Sequence, residues 1–481
     1  MSLVSRRADP RRDVMTQQPV RTATAPAPRP VRLRPPHRPG ATLAVTSAAT
    51  AVALMNYTAP MAALPALSAA FATPPAAQAW LLNGAPLGLA VLLLVAGSLA
   101  DDFGRRRLFL IGTFGLGVTT ALGALTTNTV GFTLARAGQG AASAAILATS
   151  LGLLVGAYPV GHARIKAMGV WGAFVSAGIA LGPLLAGSLG GLDWRLTYLA
   201  LGLGALVTGI FAVRTLTESR APRAGRPDIV GAAVLGLAMT ALLTALTLGR
   251  DGWLRAPVGL LLLAALALTA VFAVVERRAA APLIDLALFR SRAFLASAVG
   301  GLFTGLSVIG LFSYLPTLLQ HALSMSALDS AWLFLLWSGT SFAVALQSRR
   351  LTGRVSARHQ MAAGFAFHAV AVLPMLGTLT GAPGDTGASV WARLVPALVV
   401  AGAGSGLINA ALPRLAVESV PAERAAMGSG ANNTARYLGS SAGVAVTIAV
   451  ATTPAGADGA VLLSAVMAVV ATAGVLLLRE H

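Results

Sequence analysis

The chain has 481 residues, 56% hydrophobic and only 11% charged, whereas soluble globular proteins carry roughly 25% charged residues. With a mean hydropathy of +0.76, this composition excludes a soluble domain and points to a polytopic membrane protein. The net charge of +19 does not argue for nucleic acid, because the basic residues are dispersed over many short segments; without cysteine the chain holds neither disulfide nor thiolate metal site.

Residues 1–40 carry nine arginines among many prolines and read as a disordered cytoplasmic tail. The apolar run that follows is too long for a cleavable signal peptide and lacks its cleavage pattern. A twin-Arg export signal at Arg6-Arg7 or Arg11-Arg12 is the rival reading, and Met15 is a second candidate start. From Ala41 onward fourteen apolar runs of spanning length are predicted: 42–64, 79–99, 107–126, 131–153, 165–190, 197–214, 228–248, 257–275, 293–318, 329–346, 360–380, 390–412, 426–450 and 459–478.

The short loop from Gly97 to Arg107 fixes the orientation. Arg105, Arg106 and Arg107 cannot cheaply enter hydrocarbon, so the loop lies inside the cell and both termini are cytoplasmic. Sorting the basic residues by this topology leaves only Arg195, Arg250, Arg255 and Arg393 outside, with Arg136 and Arg436 in mid-span. Gly97 and Gly104 are expected to permit close helix approach and a tight reversal, and Asp101 to cap or pair with Arg105. The segment Leu351 to Arg358 weakly repeats Leu99 to Arg106, as two related six-helix halves would. The predicted organisation is therefore all-α and integral to the membrane. A tail (1–40) precedes an N-terminal six-helix bundle (41–216), a linker with two inserted transmembrane helices (217–292) and a C-terminal six-helix bundle (293–481).

The pattern Gly97-x-Leu-x-Asp101-x-x-Gly104-Arg-Arg resembles the loop between spans two and three of the major facilitator superfamily of secondary transporters. Run one, with Asn56, Thr58, Ala63, Leu64 and Pro65, is similar to the signature Leu-Asp-x-Thr-Ile-Val-Asn-Val-Ala-Leu-Pro of its fourteen-span drug:proton antiporters. Asn56 stands where that family carries Asp. A desolvated carboxylate is a natural proton carrier and an amide is not, so Asn56 is left to hydrogen-bond substrate or to hold run one to a neighbour. Run four, with Arg136, Gln139 and Gly140, resembles the superfamily's Arg-x-x-Gln-Gly element, which implies a role for Arg136 in proton coupling and substrate binding. Run five, with Gly178, Gly182, Pro183 and Gly187, resembles the Gly-x-x-x-Gly-Pro-x-x-Gly-Gly element that marks exporters, Ala186 replacing one glycine. Its glycines make a groove for a partner helix, and Pro183 removes one backbone hydrogen bond. Trp194-Arg195 follows, as in the fourteen-span family. Run thirteen, with Asn433 and Arg436 three residues apart on one face, resembles the family's Gly-x-x-Asn-Thr-x-Arg-x-x-Gly stretch and either lines the cavity or locks the helix to its neighbours.

His368 in run eleven is a candidate substitute proton carrier, because imidazole ordinarily titrates near neutral pH; an interhelical hydrogen-bonding role is its alternative. Trp80 and Asn83 in run two are candidate contacts for an aromatic or amphipathic substrate, Trp80 otherwise being an interfacial belt residue. No run carries Asp or Glu in its interior, so with Arg136 and Arg436 there the substrate is expected to be neutral or anionic.

These features predict a monomeric plasma-membrane exporter of small amphipathic compounds, a drug or antibiotic, working by alternating access and expected to be driven by proton antiport. A membrane enzyme would need His-Glu-x-x-His, paired intramembrane carboxylates or clustered histidines, and an ATP-driven pump a Gly-x-x-x-x-Gly-Lys-Ser/Thr loop; the sequence has none of these, and neither cofactor nor metal is expected. A receptor of the same fold remains the rival while Asn56 lacks a carboxylate.

Overall fold

The computed structural model describes residues 38–159, 162–218, 228–249, 254–279, 282, 286–351, 354–380, 387–420 and 425–478, and among them all regular structure is helical. The expected tail, apart from residues 38–40, and the loop 219–227 lie outside the described residues, as do the side chains of Asp101 and Asp102.

Among the described residues, fourteen long helices follow one another: α1 (Pro39–Ala70), α2 (Gln78–Phe103), α3 (Arg105–Ala124), α4 (Thr129–Ala157), α5 (His162–Gly190), α6 (Trp194–Thr215), α7 (Ile229–Gly249), α8 (Ala256–Arg278), α9 (Arg292–Ala322), α10 (Ala327–Gln347), α11 (Ala357–Val372), α12 (Ala388–Glu418), α13 (Ala425–Ala451) and α14 (Gly456–Leu477). Ten of these are both long and apolar enough to cross a membrane. The remaining four are α1, α2, α11 and α13. Threonine and asparagine dilute α1 and α13, α11 has only 16 residues, and the apolar stretch of α2 covers Gln78–Leu93.

Helix starts follow ordinary capping chemistry. Side chains of Asn128, Asp193, Ser291 and Ser356 accept from backbone N–H groups in the first turns of α4, α6, α9 and α11, and Ser326 with Asp329 forms a capping box on α10. Run eleven was expected to reach residue 380 but α11 stops at Val372. Pro374 lacks the N–H needed to continue, and Gly377 adopts a φ of 74°, which reverses the chain.

The first six helices pack chiefly on one another, α2 on α4, α1 on α5, and α3 on α4 and α6; the last six do likewise, with α12 against α10 and α11, and α14 against α11. α13 lies against both α2 and α9. Its approach to α9 is backbone to backbone: a Cβ at Gly305 would collide with Arg436 O and Ser440 N, and one at Gly439 with Leu302 O. A single π turn, Thr304–Ile309, inserts one extra residue, so that Gly301, Gly305 and Gly310 all face α13 despite spacings of four and then five. α7 pairs with α8 and packs against α2 and α13.

The α2–α3 reversal is made at Gly104, whose φ is 110°. A Cβ there would also come 2.6 Å from the Glu218 carboxylate, which accepts the Arg106 N–H at 3.0 Å and lies 3.8 Å from Arg107 Nε. Arg105 donates to Gly152 O at 3.2 Å and Arg106 to Val213 O at 2.9 Å. Around Gly97, by contrast, nothing lies within 4 Å of a Cβ position, so the close approach expected of it is not made here. Gly104→Ala is expected to destabilise the protein by about 2 kcal/mol through a backbone conformation alanine rarely adopts, whereas Gly97→Ala leaves the melting temperature within a degree or so. Thermal unfolding in detergent checks both.

Candidate functional site

Arg136 is the largest fully buried side chain, with 0% exposure in mid-helix α4. Its Nη1 lies 2.6 Å from Asn56 O, 2.7 Å from Asn56 Oδ1 and 2.8 Å from Gln139 Oε1, and Nη2 donates to Tyr57 O at 3.2 Å. Asn56 Nδ2 donates in turn to Thr120 Oγ1 at 2.7 Å, and Gln139 Nε2 to Thr119 O at 3.3 Å. A cation taken out of water is tolerated only when its donors are met, and here α1 and α4 meet most of them with neutral oxygens. Arg136 therefore points away from lipid, and Asn56 acts at least as a clamp joining α1, α3 and α4. Gly84 of α2 makes room, since a Cβ there would lie 2.6 Å from Arg136 Cβ.

Tyr57 carries the network on to α13. Its ring meets that of Tyr437 edge to face at 5.9 Å, and its hydroxyl lies 3.1 Å from Ser440 Oγ. The Arg436 guanidinium stands 5.1 Å over the Tyr437 ring, with one hydrogen bond, 3.4 Å long, from Nη2 to the Tyr437 hydroxyl. Arg436 is only half-buried, and among the described residues neither arginine forms an ion pair. Asn433, expected beside it, donates back to Ser429 O of its own helix at 3.0 Å. Asn432, one residue earlier, reaches Ser297 O of α9 at 2.7 Å.

Two expected site residues lie elsewhere. His368 is fully buried, with Nε2 2.9 Å from Ser464 Oγ, whose hydroxyl donates to Ser307 O in the π turn at 2.9 Å. It thus joins α11, α14 and α9. Trp80 is half-buried in the first turn of α2 and makes none of the hydrogen bonds or ring contacts of the arginine network described here.

The glycines of α5 set its partners. A Cβ at Gly178 would lie 2.6 Å from Ala51 O of α1, and one at Gly182 would collide with Thr58 Oγ1 and approach Met55. A Cβ at Gly187 would instead lie 2.8 Å from Leu328 Cα in α10. Near this end of the molecule, where α5 finishes and α2 and α10 begin, Asn83 Nδ2 donates to Ser441 O at 2.9 Å. Gln320 Nε2 donates to Ala62 O at 3.0 Å and lies 3.1 Å from Ser330 Oγ. Toward the other end, nothing lies within 4 Å of a Cβ at Gly169 or Gly172 of α5 or Gly339 of α10. The first and last six helices are thus joined by hydrogen bonds at this end, and α2 packs along α13 beyond it, while Gly169, Gly172 and Gly339 face open space farther along α5 and α10.

Tyr57, Thr120, Tyr437, Gln320 and Glu218 were not singled out from the sequence. Tyr57 and Tyr437 immediately follow Asn56 and Arg436, and that adjacency is the only local signal of them.

The sequence model of the Major Facilitator Superfamily matches residues 46–444. The chain belongs to this superfamily. It is accordingly a transporter and not an enzyme. Among similar curated proteins, "Multidrug resistance protein Stp" of Mycobacterium tuberculosis is 32% identical over 397 residues, covering 80% of this chain and 70% of that protein. "Probable actinorhodin transporter" of Streptomyces coelicolor is 32% identical over 426 residues, with 86% and 72% covered. "Tetracenomycin C resistance and export protein" of Streptomyces glaucescens is 31% identical over 417 residues, with 85% and 75% covered. The crystal structure of the POT family transporter PepTSo superposes with a TM-score of 0.67 at 15% identity, covering 91% of this chain and 97% of that one, which shows the shared superfamily fold.

Proposed function

We propose that the protein is a secondary exporter of small amphipathic compounds, neutral or anionic, working by alternating access in the plasma membrane and driven by proton antiport. All fourteen helices cross the membrane, with both termini cytoplasmic. The six-helix bundles 41–216 and 293–481 flank a linker, 217–292, that carries α7 and α8. Arg106 and Arg358 support this duplication: each donates to a carbonyl at the end of the last helix of its own half, Val213 O for one and Leu478 O for the other. On this topology the hydrogen-bonded end is the outer one and the cavity opens inward.

The observation that carries the reading is the pair of mid-membrane guanidinium groups, Arg136 enclosed and Arg436 half-buried, with no acidic partner among the described residues. Such charges are costly in hydrocarbon: Arg136 is met by neutral oxygens inside the protein, and the half-buried Arg436 is expected to face a wet, polar passage that accepts neutral or negative cargo. The names of the relatives support export of antibiotics or other drugs. Asn56, Arg136 and Gln139 form the coupling network. Gly178, Gly182, Pro183 and Gly187 guide α5 during rocking, while Gly97, Asp101, Gly104 and Arg105 shape the inner loop. Asn83 closes the outer seam; Trp80, Asn433 and Arg436 lie near the cargo path.

Coupling by an ion other than the proton is the second reading, favoured by the amide at position 56. Efflux from proteoliposomes under an imposed pH gradient tests this with wild type, Asn56→Asp and His368→Ala. Proton antiport predicts faster efflux down the gradient, loss of the acceleration in His368→Ala if the imidazole carries the proton, and a steeper response in Asn56→Asp. Flux indifferent to the gradient in all three excludes it. Faster export of a permanently cationic dye than of a carboxylate-bearing compound overturns the substrate class.

A further inference from the structure

We infer that Arg436, Tyr437 and Tyr57 form an aromatic-anion receptor, with Arg436 reading the negative group of the cargo and Arg136 taking no direct part. The inference rests on the export reading and assigns its selectivity to one side chain.

The two guanidinium groups differ in what they lack. Arg136 is fully enclosed, and four oxygen atoms occupy both of its terminal nitrogens. A ligand could reach it only by dismantling α1 from α4. Arg436 is half-buried and its one hydrogen bond is 3.4 Å long; both arginines leave Nε buried without a partner among the described residues, so the difference lies at the terminal nitrogens. A cation in that condition gains most from an incoming anion, because the desolvation penalty is already present in the empty site. Arginine adds geometry to charge, since its planar fork matches a carboxylate through two parallel N–H donors.

The surroundings specify the rest of the cargo. The Tyr57 and Tyr437 rings meet edge to face at 5.9 Å, and Tyr437 packs in a cluster with Leu89, Ala90 and Met239. These cluster members are buried, so Met239, from α7, backs the Tyr437 ring and does not itself face the cargo. Asn433 turns one amide N–H back to Ser429 O of its own helix. The chemistry that fits is a planar aromatic ring system bearing one carboxylate or phenolate: the anion on Arg436 and the ring against the partly buried Tyr57, with the buried Tyr437 positioning both.

The probes are 2-naphthoate and its neutral isostere 2-naphthamide. Binding to purified protein is measured by equilibrium dialysis, and efflux of each from proteoliposomes, for wild type, Arg436→Gln, Arg436→Lys and Tyr437→Phe. Wild type is expected to prefer the acid by about tenfold, the worth of one partly screened charge pair. Arg436→Gln brings the ratio close to one while leaving naphthamide affinity within about twofold; Arg436→Lys keeps part of the preference, and Tyr437→Phe most of it. A purely structural Arg436 would weaken both ligands alike, and that result overturns the inference, as does a wild type that binds the two equally. If Arg436→Gln still favours the acid while export continues, the receptor assignment fails and the export reading stands. If wild-type binding discriminates through Arg436 but neither probe crosses the membrane under any gradient, the receptor stands and the export reading fails.

Discussion

Replacing Arg136 by leucine is expected to bring transport to background and lower stability by about 3 kcal/mol, because four oxygens on α1 and α4 lose their donor inside the protein. Two effects oppose each other. Deleting a buried cation relieves its desolvation, but Asn56 Oδ1, Gln139 Oε1 and two main-chain carbonyls cannot all find new donors in a dry interior. Arg136→Lys separates charge from geometry. An ammonium keeps the charge but cannot present donors to both the Asn56 and Tyr57 carbonyls and to Gln139 from one point. The lysine variant is therefore expected to fold, to melt a few degrees lower and to transport at a small fraction of the wild-type rate. Wild-type efflux by the leucine variant, measured in proteoliposomes at matched protein content, would show that the network only holds helices together.

The second large effect belongs to Gly182. Its missing Cβ lets α5 rest on α1 at Thr58 and Met55, one turn or less from Asn56 and Tyr57. Gly182→Ala puts a methyl group into Thr58 Oγ1 and Met55, so α1 must move, and the expected loss is about 3 kcal/mol with transport reduced in parallel. Gly172 supplies the control on the same helix. Open space surrounds its Cβ position, so Gly172→Ala is expected to be neutral or stabilising by about 0.5 kcal/mol through helix propensity. If thermal melts and efflux show both substitutions behaving alike, the α1–α5 contact does not set the position of the Arg136 clamp.

Much of the fold was legible because lipid imposes a one-dimensional rule. Apolar runs of spanning length, broken by Arg-rich or Gly/Pro-rich turns, mark helices without knowledge of their partners, and the expected starts of runs four and ten, 131 and 329, fall two residues from those of α4 and α10. Run eleven failed because hydropathy alone does not register that Pro374 and Gly377 end a helix while the chain remains apolar. The site divided in the same way. Arg136 and Arg436 stand out because charge inside an apolar run is rare. Tyr57 contacting Ser440 does not, since 383 residues separate them and only tertiary packing brings them together. The π turn was equally invisible: Gly301, Gly305 and Gly310 look irregular until α13 is laid across them. Glu218, just past α6, became readable only once the chain reversal at Gly104 delivered Arg106 and Arg107 to it.

The clasp formed by Asn83 with Ser441 and Gln320 with Ala62 is made wholly of uncharged groups. Dissolved salt has nothing there to shield, so raising the ionic strength is expected to leave these two bonds in place. Each such bond contributes only about 1 kcal/mol, so most of what holds this end together is the close packing of α5 on α10 at Gly187.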